Sequence, residues 1–105
     1  MYRGTTPTYI FKPRDQSLDL TLATKMYVTF SNLNDEEIFT KTGTDLSVEQ
    51  HQVSVYLSQE ETLGLPKKVK VQLNWLYTEG PRTKRASSNI FRIDTERNLL
   101  DEVLE

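Results

Sequence analysis

The stretch Lys67 to Tyr77, KKVKVQLNWLY, constrains the fold more than any other part of the chain. Successive side chains of an extended strand point to opposite faces, so Val69, Val71, Leu73, Trp75 and Tyr77 share one face and Lys68, Lys70, Gln72 and Asn74 the other. A strand that is apolar on one side and polar on the other suits an antiparallel sheet with one face on a core and one in water. Trp75, the single tryptophan of the chain, lies on the apolar face and is expected in the core, its indole N–H bonded to a partner.

The other segments repeat this period. A short strand is expected around Tyr9 to Lys12 and ends at Pro13, which cannot donate to a ladder. Leu18, Leu20 and Leu22 alternate with Asp19 and Thr21, and Met26, Val28 and Phe30 alternate with Tyr27 and Thr29. These read as two half-buried strands, or as one strand bent near Ala23 and Thr24. The turn formers Asn32 to Glu36 lead into a strand over Glu37 to Thr42, closing a hairpin. Beyond a turn at Gly43 to Asp45 come a short strand with Leu46 and Val48 and a stronger one with Val53, Val55 and Leu57.

Ser58-Gln59-Glu60-Glu61 has the form of a capping box and predicts one or two helical turns over Ser58 to Leu63. Gly64 and Pro66 stop that helix, while Leu63 and Leu65 tuck it against the domain. Thr78 to Arg82, TEGPR, is a turn with Gly80 suited to positive φ. A return strand follows over Arg85 to Asp94, with Phe91 and Ile93 facing inward. The expected core is Tyr9 or Phe11, Leu20, Met26, Val28, Phe30, Val53, Val55, Leu57, Val69, Val71, Leu73, Trp75, Phe91 and Ile93.

A chain of 105 residues fits one domain. Residues 1–8 read as an N-terminal arm and 98–105 as an amphipathic tail: Leu99, Leu100, Val103 and Leu104 are spaced for one helical face, but the stretch is too short to be helical without support. The absence of cysteine excludes disulfides, thiolate zinc sites and cysteine nucleophiles. A net charge of −2 provides no overall field toward nucleic acid or anionic membrane. No secretory signal and no run of about 20 apolar residues is evident, so a protein made in the cytoplasm and not inserted in a membrane is expected.

No catalytic constellation is expected. His51, the single histidine, sits among Glu49, Gln50 and Gln52 in a polar turn and reads as a solvated loop residue. Ser87 and Ser88 lack a glycine elbow. Asp35, Glu36 and Glu37 belong to a turn, and Glu60 and Glu61 to a helix first turn, where acidic residues favour the macrodipole. Asp15, Asp19, Asp45 and Glu49 lack calcium-loop spacing, so no metal and no cofactor are assigned, although a calcium ion between loops stays open. Three surfaces are candidates for binding. Lys67, Lys68, Lys70, Arg82, Lys84 and Arg85 form a candidate basic patch, whose first reading is protection of a strand edge and whose second is nucleic acid. Tyr27 and Tyr56 point opposite to the valines beside them and could stack on a glycan. The face of Leu99, Leu100, Val103 and Leu104 is the candidate partner-binding surface, docked either on its own domain or on a neighbour.

The strand and cap of Val53 to Leu63, the VKVQLNWLY strand, the GPR turn, the SSNIFRID segment, the opening Thr6-Pro7-Thr8-Tyr9-Ile10-Phe11 and the Tyr27-Val28-Thr29-Phe30 strand together resemble small phage and prophage proteins of Gram-positive bacteria. Those proteins look like immunoglobulin-like sandwiches, distantly similar to the N-terminal domain of phage baseplate upper proteins. The resemblance implies a single all-β, immunoglobulin-like antiparallel sandwich of about seven strands. It also implies a non-enzymatic structural or accessory protein of the virion, in the tail or baseplate, made in the bacterial host cytoplasm. Its partners would then be other phage structural proteins or further copies of itself. A carbohydrate-binding module is the alternative, and nucleic-acid binding through the basic hairpin ranks third.

Overall fold

Strand β6 (Lys68–Glu79) organises the protein in the computed structural model, which describes residues 6–95. Its alternation is realised: Val69, Val71, Leu73 and Trp75 are buried, while Lys70, Gln72 and Asn74 on the opposite face are half-buried. The remaining elements are β1 (Thr8–Phe11), β2 (Lys25–Ser31), β3 (Glu37–Thr42), β4 (Leu46–Val48), β5 (Val53–Tyr56), α1 (Gln59–Leu63), β7 (Arg82–Ser87) and β8 (Phe91–Asp94).

These strands form two antiparallel sheets, one with the order β1-β5-β4 and one with the order β3-β2-β6-β7, in which β8 also pairs with β6. The chain crosses between sheets after β1, after β3 and after β5. That connectivity is the Greek key of an immunoglobulin-like sandwich: β1, β5 and β4 answer to strands B, E and D, and β3, β2, β6 and β7 to C′, C, F and G. Phe11, Val53 and Val55 from the smaller sheet meet Val28, Phe30, Val71 and Leu73 from the larger in one core.

The structure corrects the sequence reading in particular places. Leu18 to Leu22 is not a strand. Asp19 accepts a hydrogen bond from the Thr21 N–H at 3.0 Å and caps a 3-10 turn over Leu20–Leu22. Such a local side-chain bond competes with a sheet ladder. The turn is pinned by the Leu20 N–H, which donates to the Gln50 carbonyl at 2.9 Å. Only Leu20 is buried, and Leu22 is 70% exposed. The return strand is divided into β7 and β8, which makes eight strands among the described residues where about seven were expected. Phe91 packs against the core without being buried, whereas Leu65 is fully enclosed. Leu99, Leu100, Val103 and Leu104 lie outside the described residues.

The capping box at Ser58 forms as expected. The Ser58 hydroxyl accepts from the Glu61 N–H at 3.2 Å, and the Glu61 carboxylate accepts from the Ser58 N–H at 2.8 Å. Five residues cannot sustain a helix alone, and α1 has an anchor the sequence did not disclose. Lys41 lies opposite Val28 on β3, an edge strand, and points inward. Its Nζ donates to both Glu61 carboxylate oxygens, at 2.8 and 2.7 Å, and lies 3.4 Å from Asp45. An inward charge discourages further strands from adding to that edge. Here it also ties the larger sheet to the helix that connects the two sheets.

Burial by itself would raise the Glu61 pKa, but hydrogen bonds from Lys41 and Ser58 and the Lys41 charge outweigh it, so the carboxyl titrates below its ordinary value of 4.5. A carboxyl whose pKa is lower in the folded than in the unfolded chain contributes stability that is fully present above the unfolded value. That contribution is lost as pH falls through the folded value. Urea titrations between pH 7 and pH 3 should therefore show stability falling in acid, and Glu61→Gln should flatten the profile. At pH 7 Glu61→Gln is expected to cost about 2 kcal/mol, more than Lys41→Met. The Glu61 side chain is 25% exposed and can take up water, whereas that of Lys41, at 9%, cannot.

Candidate functional site

The outer face of the five-stranded sheet carries a polar surface cross-linked by side-chain hydrogen bonds. The register sets its side chains in rows across the strands. Lys25, Leu76 and Arg85 form one row, and Thr42, Tyr27, Asn74 and Ser87 the next. Thr40, Thr29 and Gln72 follow, and then Glu37, Ser31, Lys70 and Arg92. Thr29, Gln72 and Asn74 are half-buried because long neighbours flank them, and they form the floor of a trough.

One hollow of about 430 Å³ is lined by Ser31, Gln72 and Ile90 and by the Lys70–Asp35 ion pair. A second, of about 370 Å³, is lined by Tyr27, Thr40 and Leu76. Both include Thr29, Asn74 and Arg85, so the two adjoin. The floor is cross-linked. The Thr29 and Thr40 hydroxyls lie 3.1 Å apart, and the Asn74 carbonyl oxygen accepts from Arg85 at 3.1 Å and from the Ser87 hydroxyl.

A bulge shapes the wall on the β7–β8 side. Between Asn74↔Ser87 and Val71↔Phe91, β6 has two residues, Gln72 and Leu73, against three on the other side, Ser88, Asn89 and Ile90. One extra residue bends a strand and re-aims its side chains, and here Ile90 is turned to the trough. Ser88, which is buried, heals the ladder. Its N–H donates to the Leu73 carbonyl at 2.9 Å, and its hydroxyl accepts from the Leu73 N–H at 3.0 Å and donates to the Asn89 carbonyl at 2.7 Å. The Gln72 amide donates to the Ser88 carbonyl at 2.9 Å, which fixes a floor residue to the bulge.

The candidate residues read from the sequence are dispersed by this geometry. The six cations do not make one patch. Lys68, Lys70 and Arg85 project on the outer face, whereas Arg82 and Lys84 are in register with Glu79 and Tyr77 and project on the opposite one. Lys68 pairs with Asp94 at 3.1 Å, Lys70 with Asp35 at 2.8 Å and Lys84 with Glu79 at 2.9 Å. Lys67 precedes β6, and its carbonyl accepts from the Thr95 N–H. Tyr27 lines the trough, while Tyr56 lies on β5 in the other sheet, so the two tyrosines cannot share a ligand.

His51 is exposed, with Nδ1 3.1 Å from the Leu18 carbonyl. Ser88 has the ladder role above and Ser87 the Asn74 contact. Asp15 and Asp19 each accept from the hydroxyl of the residue two positions on, Ser17 and Thr21, and also from its backbone N–H, and these local bonds, the hydroxyl one foremost, hold both carboxyls below their ordinary range. Among the described residues no three His, Asp or Glu side chains are grouped to hold a metal ion, and no helix is long and apolar enough to cross a membrane.

Thr29, Gln72, Asn74 and Ile90 escaped the sequence reading. Outward polar positions of an alternating strand look like ordinary solvent face until the register reveals which of them stand side by side. No protein-family model, curated protein or solved structure matches the chain.

The bulge offers a direct check on this architecture. Ser88→Ala removes the acceptor of a buried N–H and should cost about 1 to 3 kcal/mol in urea unfolding. Ser87→Ala, on the exposed face, should stay within about 0.5 kcal/mol of the unaltered protein.

Proposed function

We propose that this protein is a non-enzymatic interaction module that acts by protein–protein contact, as a structural or accessory component of a phage or prophage particle, in its tail or baseplate. The observation that carries the contact role is the trough. Its floor is built from short side chains on a hydrogen-bonded sheet and is already ordered by bonds such as Thr29–Thr40 and Asn74–Ser87. A surface ordered in advance loses little conformational entropy when a partner binds. The assignment to a phage particle rests on the sequence resemblance of the Val53–Leu63, VKVQLNWLY and SSNIFRID segments. Mass spectrometry of particles purified from an induced host should find the protein at stoichiometric level, and consistent absence would overturn the assignment. Filling the trough with Thr29→Arg and Gln72→Arg together should lower incorporation at least tenfold while leaving the β-sheet circular dichroism unchanged.

Carbohydrate binding is the second reading, favoured by the presence of Tyr27, Asn74 and Arg85 around one hollow: an aromatic face, an amide and a guanidinium are the groups that stack on a sugar ring and bond its hydroxyls. On a glycan array, binding that is lost with Tyr27→Ala and kept with Tyr56→Ala is the expected pattern for this reading. An array without hits would dispose of it.

A further inference from the structure

One end of the trough has a character of its own. Lys25 and Arg85 are both in register with Leu76, one on each side of it, so two exposed cations flank a half-buried leucine. Tyr27 and Asn74 form the adjoining row, with the Lys25 Nζ 5.7 Å from the centre of the Tyr27 ring, around a hollow of about 370 Å³. An apolar floor between two cations fits a segment in which leucines adjoin carboxylates.

The chain itself holds such a segment. Residues 96–105, ERNLLDEVLE, contain four acidic residues against one basic, together with three leucines and a valine. We propose that the Lys25–Leu76–Arg85 end of the trough is the docking site for residues 96–105 of a second copy of this chain.

The second copy is favoured by reach. Thr95 is tied to the opposite end of β6, its N–H donating to the Lys67 carbonyl at 2.7 Å and its hydroxyl to the Pro66 carbonyl at 2.6 Å. Lys68 and Leu76 are separated by about 26 Å along a strand that rises ~3.3 Å per residue. Leu99, Leu100 and Asp101 follow Thr95 by four to six residues, and a chain spans at most ~3.6 Å per residue, so they reach no further than about 22 Å from that anchor. The Leu99-Leu100-Asp101 stretch therefore falls short of its own Leu76 but can meet that of a neighbour. A symmetric pairing through the β7 edges is disfavoured, because it would set Arg82, Lys84 and Arg85 against their own copies. The resulting contact joins different surfaces of the two copies, so it propagates head to tail into rings or filaments. It does not depend on the assignment to a phage particle.

Sedimentation velocity of the full chain at low salt tests the inference. Mass should rise with concentration and fall again at high salt, because the contact is partly ionic. The full-length variants K25E/R85E and D101K/E102K should each associate at least tenfold more weakly, with unchanged circular dichroism. Mixed together, they should form mixed assemblies that neither forms alone, since each then supplies the charge the other has reversed. A full chain that stays monomeric at every concentration would overturn the proposal. So would association unaffected by K25E/R85E, or a mixture of the two variants that does not associate.

Discussion

Everything in this sandwich leans on β6, because that strand is hydrogen-bonded along both edges while its inward face closes the core. Residues Lys70 to Leu76 pair with β2 on one side, and the other side is shared between β7 and β8. A strand in this position cannot slip. Moving it by one residue would turn Val69, Val71, Leu73 and Trp75 to solvent and bring Lys70, Gln72 and Asn74 into the core. The penalty for that exchange, in lost apolar burial and in stranded polar groups, holds the register of the whole larger sheet.

The same register creates the surface that carries the functional reading. With the inward face committed to the core, the outward residues of β2, β3, β6 and β7 have to meet in fixed rows, and the Thr29, Gln72 and Asn74 floor follows from that alignment. The bulge at Ser88 to Ile90 adds a wall on one side without breaking the ladder, since the Ser88 hydroxyl stands in as acceptor for the Leu73 N–H. The two faces are thus coupled through one strand: the face that holds the domain together also orders the outer face, where we propose that a partner binds.

Two polar devices protect this arrangement where the sheets end. Lys41 directs a charge inward from edge strand β3 and joins it to the capping-box carboxylate of Glu61, so the short α1 is held by tertiary contact more than by its own propensity. The Asp19 cap and the Leu20–Gln50 bond fold the leucine run into a turn and leave Leu22 in solvent.

The period-two pattern was enough to assign a small antiparallel β domain, and nearly the whole core could be named from it, because a strand half in water writes its burial directly into its sequence. The capping box and the Gly80 turn were equally legible, being local motifs whose atoms lie within a few residues of one another. What escaped were features made by residues far apart in the chain. The Leu18, Leu20 and Leu22 alternation looked like a strand because the carbonyl that pins Leu20 in its turn belongs to Gln50, far along the chain. The return strand looked continuous because nothing local marks the extra residue at Ser88 to Ile90. The lysines and arginines looked like one patch because a sequence does not show that Arg82 and Lys84 face away from Lys68, Lys70 and Arg85. The sequence by itself determined which side of the strongly alternating strands β2, β5 and β6 is buried, since there side-chain polarity decides it. Tertiary structure decided which outward side chains become neighbours, since that depends on inter-strand register, a relation between segments that no one segment contains.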